Sequence, residues 1–77
     1  LAQMGKGAAA YNLSFMHNKG QGVQQDPAKA QTWLERAGEL NYGLALVILG
    51  NQRLNGVMVP KDTGKAVEFY ERAVLLG

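Results

Sequence analysis

The chain has 77 residues, enough for one small domain, and a core of that size supplies only about 3–5 kcal/mol without a disulfide, a metal or a partner. It has no cysteine, which excludes disulfides and thiolate metal sites and leaves bacterial periplasm and cytoplasm equally compatible. A formal charge of +2 arises from eight basic and six acidic residues with no basic cluster, so a nucleic-acid stripe is not expected. The longest apolar run, Leu44 to Leu49, is far below the roughly 20 residues of a membrane-spanning helix.

Residues 1–4 read as the tail of a helix, with Gly5 just beyond it. A first helix is predicted over 7–18, and Gly20 ends it because glycine readily takes the left-handed conformation. The loop Lys19 to Gln25 contains one apolar residue, Val23, which plugs it under the hairpin. Asp26-Pro27 is a strong helix start, since the carboxylate accepts from free backbone N–H groups and Pro at the first position loses no hydrogen bond. From there Ala30, Trp33, Leu34, Ala37 and Leu40 follow the helical period, giving an amphipathic helix over 26–39. Asn41 suits the turn that follows. A third helix is predicted over 43–54, closed by Gly56, and a fourth over 62–76, opened by Asp62 and carrying Ala66, Phe69, Tyr70, Ala73 and Leu76 in the phase of the second.

The second half therefore rewrites the first 36 positions later. Identities fall at Gly7/Gly43, Ala9/Ala45, Leu13/Leu49, Gly20/Gly56, Val23/Val59, Asp26/Asp62, Lys29/Lys65, Ala30/Ala66, Glu35/Glu71, Arg36/Arg72 and Ala37/Ala73. A fixed period of this length marks a solenoid of stacked helical hairpins. The division is 1–5 as the end of a preceding repeat, 6–41 as repeat one and 42–77 as repeat two. Laid along these positions, the chain resembles the Sel-one-like repeats, relatives of the tetratricopeptide repeat. Ala9, Leu13, Gly20, Gly22, Val23, Asp26, Lys29, Ala30, Trp33 and Ala37 match the pattern once, and Ala45, Leu49, Gly50, Gly56, Val59, Asp62, Lys65, Ala66 and Ala73 match it again, with Phe69 in the Trp position. Ser14 in place of Gly, His17 and Arg53 in place of Tyr, and Met58 in place of the second loop Gly depart from it. The resemblance implies an all-α, right-handed α/α superhelix and a role as an adaptor that assembles protein complexes.

No residue set points to catalysis. His17, the single histidine, has no partners at triad or metal spacing, and Asp26 and Asp62 are accounted for as caps. Gly20-x-Gly22 lacks the strand and third glycine of a dinucleotide loop. An enzyme is not expected, nor a cofactor or metal. The family phase puts Ala9, Leu13 and His17 on the inner seam of the first helix. The opposite face carries Ala8, Tyr11, Phe15 and Asn18, then Leu44, Val47, Asn51 and Leu54. A helix apolar on two sides is sandwiched between repeats or presents a binding stripe. For the second case the candidate residues on a concave wall are Tyr11, Asn12, Phe15, Ile48, Asn51 and Gln52, because rigid aromatics and amides supply area and directed hydrogen bonds. The expected partner is a protein or peptide, with no nucleic acid and no membrane insertion.

The alternative is a structural spacer or self-associating segment without a ligand of its own. Leu44, Val47, Val67, Val74 and Leu75 add apolar surface to the second repeat, so the chain is expected to dimerise or pack end to end through its C-terminal hairpin. Glu68 and Arg72 are spaced for an i, i+4 ion pair on the outer face. Trp33, placed in the seam, is expected to lose about 3–5 kcal/mol on truncation to Ala.

Overall fold

The computed structural model describes the backbone of residues 2–76 and the side chains of residues 5–76. It contains four helices, α1 (Ala2–Lys19), α2 (Pro27–Glu39), α3 (Gly43–Asn55) and α4 (Thr63–Leu75), and no strand among the described residues. They form two hairpins, α1 with α2 and α3 with α4, joined by packing of α2 on α3. The result is a slab of 35 × 31 × 12 Å.

The same punctuation builds both hairpins. Asp26 Oδ1 accepts from the N–H groups of Ala28 and Lys29 at 3.1 and 3.2 Å, and Asp62 Oδ1 accepts from that of Lys65 at 3.1 Å. These are N-terminal donors with no partner inside the helix. Gly20 and Gly56 stand at φ +73° and +68° and end α1 and α3. Each loop is then tied back to its own helix: the N–H of Asp26 donates to His17 O at 2.9 Å, and that of Asp62 to Arg53 O at 2.8 Å. Met58 occupies φ +69°, matching the +73° of Gly22 one repeat earlier. The loop geometry is thus retained although a side chain has replaced the glycine, at a cost of about 1–2 kcal/mol.

Small residues set the helix spacing. Ala10, Leu34, Ala37, Ala45 and Leu49 form the central cluster, with Tyr11, Trp33, Leu40, Tyr42, Ile48 and Phe69 packed around it. Gly38 allows α3 to approach α2 closely, because a Cβ there would lie 2.6 Å from Leu49 Cδ1. Leu46 is the largest fully buried side chain.

Four expectations need correction. The first helix starts at Ala2, not at residue 7, and runs through Gly5, which is therefore not a helix terminator; Asn41 fills that role at φ +62°, and Gly77 lies outside the described residues. The seam of α1 is rotated from the expected Ala9, Leu13, His17 line: Gly7, Ala10 and Ser14 are buried, Ala9 is exposed, and Leu13 and His17 are half-buried. The cause is that Ala10 and Ser14 face α2 of their own hairpin, whereas the Ala9 line matches Ala45 and Leu49, which are buried in the second repeat where α2 of the preceding hairpin packs on α3. Arg72 reaches the C-terminal end of α2, donating to Gly38 O at 3.1 Å and Asn41 Oδ1 at 3.2 Å, instead of pairing with Glu68. The helix carbonyls there attract a cation. The one ion pair among the described residues joins Arg36 to Glu39 at 3.6 Å.

Trp33 is packed against the central cluster but only partly buried, so its truncation should fall below the range for a fully buried ring. Trp33→Ala is expected to cost about 2 kcal/mol in a urea titration. A midpoint unchanged from the parent would show that the ring contributes nothing to the seam.

Candidate partner-binding groove

A groove of about 170 Å³ runs between α1 and α3. Tyr11, Phe15 and Asn18 form one wall, Ile48 and Gln52 the other, and Ala30, Gln31 and Leu34 of α2 the floor, with Met58 reaching in from the loop after α3. None of its lining side chains is charged. Tyr11 is fixed by the ring of Tyr42, whose centroid is 5.3 Å away at a tilt of 36°. Phe15 and Met58 are 44% and 56% exposed, so their apolar surface is available to a partner. Beside the groove, Lys19 Nζ sits 6.0 Å from the centre of the Phe15 ring, a cation–π distance.

Four of the six residues named from sequence, Tyr11, Phe15, Ile48 and Gln52, come together in this groove. Ile48 and Tyr11 are partly committed to the core. Gln52 is held by a reciprocal amide pair with Gln31, two hydrogen bonds of 2.8 Å each. Asn12 and Asn51 are exposed but do not line the groove, and Asn51 Oδ1 accepts from the Tyr70 hydroxyl, which ties α3 to α4. Sequence reasoning placed Asn18 on this face without naming it as a contact, and it missed Pro27 and Met58 as lining residues. The signal for Met58 was present: a large apolar residue stands where the repeat pattern has glycine.

The Gln31–Gln52 pair also borders a second depression, of about 400 Å³, between α2 and α4. Arg36, Arg53, Arg72, Glu35 and Glu39 line it together with Phe69 and Val59. Its cations are internally engaged, Arg53 with Pro60 O at 3.1 Å, Arg72 with α2 and Arg36 with Glu39. His17 is half-buried with its Nδ1 unpartnered, and among the described residues no three His, Cys, Asp or Glu side chains converge as metal ligands. No helix of the described residues is long and apolar enough to cross a membrane.

Comparison with known proteins agrees with this architecture. The family model of the Sel1 repeat matches twice, over residues 7–42 and 43–77. A Sel1 repeat protein from Oxalobacter formigenes, known as a crystal structure, is similar with a TM-score of 0.90 and 33% identity over 95% of this chain and 55% of its own. The crystal structure of c5321, a protective antigen present in uropathogenic Escherichia coli strains that displays an SLR fold, is similar with a TM-score of 0.79 and 34% identity over 99% of this chain and 16% of its own. This chain thus spans about half the length of the first and about a sixth of the second. No curated protein matches. With both halves matched by the family model and the hairpin fold shared by the solved structures, the chain belongs to the Sel1 repeat family.

Proposed function

We propose that the chain is a protein-interaction module whose α1–α3 groove takes a short, uncharged segment of a partner protein. Sel1 repeat proteins are generally protein-interaction modules on a non-catalytic scaffold. The observation that carries the reading here is the pairing of exposed apolar surface, Phe15 and Met58, with a pre-ordered amide, Gln52, in a groove without charges. Apolar side chains of a bound segment would gain by burial against Phe15, Met58 and Ile48. The segment's backbone would use the remaining N–H and lone pair of Gln52, an amide already fixed by Gln31 and so ordered at little further entropic cost. Met58 is held in a left-handed conformation that side chains avoid, a local cost consistent with selection for what its side chain does in the groove.

The test is selection from a random peptide library displayed on phage, followed by amide-shift mapping by NMR. Selected peptides should shift the amides of Tyr11, Phe15, Ile48, Gln52 and Met58, and Phe15→Ala should weaken them about tenfold or more. Peptides that map instead to the charged depression between α2 and α4, or that bind Phe15→Ala unchanged, would overturn the assignment.

A further inference from the structure

We propose that copies of this chain associate head to tail, the exposed face of α4 in one copy packing on the Ala9 face of α1 in the next, as α2 packs on α3 within the chain. The internal repeat gives the comparison. Gly38 and Ala37 on α2 and Ala45 and Leu49 on α3 are buried, whereas their counterparts 36 positions away, Val74 and Ala9, are exposed, and Ala73 and Leu13 are half-buried. Val74 is 76% exposed, and with Val67 and Tyr70 it lines an apolar patch on α4. What differs between the two sets is a neighbouring hairpin. The α2–α3 contact shows which surface fits there, and α1 carries that surface.

The side chains are matched for such a contact by paired exchanges. Inside the chain, Gly38 faces Leu46 and Leu49, a Cβ at Gly38 falling 3.6 Å from Leu46 Cδ2 and 2.6 Å from Leu49 Cδ1. Between copies, Val74 takes the place of Gly38, Leu13 that of Leu49 and the buried Ala10 that of Leu46, so one of the two leucines that close on Gly38 is absent where Val74 sits. Leu13, half-buried at this face, has to change rotamer to admit Val74. Volume-conserving exchanges of this kind are the ones a packed interface tolerates. Likewise the polar pair Gln31–Gln52 becomes Val67 with Met16, an apolar pair suited to a contact driven by burial. Both exchanges alter the two partners together, as a shared interface requires. Because the two faces differ, two copies leave one of each unused, and the contact propagates as an open array instead of closing as a dimer.

Sedimentation of the 77-residue chain from micromolar to millimolar concentration tests this. The average mass should climb from 8.3 kDa through the dimer to larger species without a plateau at two. Ala9→Glu and Val74→Glu change exposed positions on opposite faces, and each alone should remain a monomer with unchanged helical circular dichroism. Mixed, they should form a one-to-one dimer and nothing larger, since the first keeps a sound α4 face and the second a sound α1 face. Val67→Glu serves as a second α4-face variant and should behave as Val74→Glu does. A parent chain that stays at 8.3 kDa throughout overturns the proposal. So does an Ala9→Glu variant that still dimerises, which would point to α4 pairing with α4, or a mixture of the two variants that stays monomeric.

Discussion

Leu46→Ala should be the most damaging single truncation in the chain, lowering stability by about 3 kcal/mol and the melting temperature by roughly 12–24 °C. The side chain is fully buried and reaches toward Gly38 of the preceding hairpin, so its loss opens a cavity at the joint between the two hairpins. Neighbouring residues cannot collapse into that space, because Ala45 and Ala37 are themselves fully buried and small. The joint should loosen first. Hydrogen exchange in Leu46→Ala should therefore rise along α2 and α3 more than in the middle of α1. A melting temperature within a few degrees of the parent would show that the hairpins do not depend on this contact.

That residue was also the least legible in the sequence. The helices, their caps and the turns follow from Asp26, Gly20, Asp62 and Gly56, because such residues act through local backbone chemistry that needs no tertiary knowledge. The face of α3 is different: Leu44 to Leu49 is apolar at every position, so no periodicity separates the buried Leu46 from the exposed Leu44 and Val47. The α1 seam was misread for a related reason. Ala9 and Ala45 are identical, yet one is exposed and the other buried, and only the presence of a packed neighbour distinguishes them. The groove was legible where it depends on ring and amide placement along a helix, as with Tyr11, Phe15 and Gln52. It was not legible where a loop folds back, as with Met58.

Replacing Gly50 by Ser should cost about 2–3 kcal/mol, although Ser is the better helix former by about 0.5 kcal/mol. A Cβ at Gly50 would lie 2.7 Å from Tyr70 Cε1 and 2.9 Å from its Cδ1. The ring has little freedom to withdraw, since its hydroxyl donates to Asn51 Oδ1. Repeat one shows the alternative solution at the same two places: Ser14 stands for Gly50 and Leu34 for Tyr70, and Ser14 Oγ donates to Ala30 O at 2.7 Å. The two repeats have thus exchanged a large and a small residue across one helix contact. Tyr70→Leu alone should also destabilise, by about 1–2 kcal/mol, because it leaves unfilled space over Gly50. The double variant Gly50→Ser with Tyr70→Leu copies the first hairpin into the second and places the new hydroxyl near Ala66 O, the counterpart of Ala30 O. It should recover most of both losses, giving a coupling energy of at least about 1 kcal/mol in a double-mutant cycle measured by urea unfolding. Strict additivity of the two substitutions would mean that the ring and the glycine are not in contact, and that α3 and α4 are held apart by other residues.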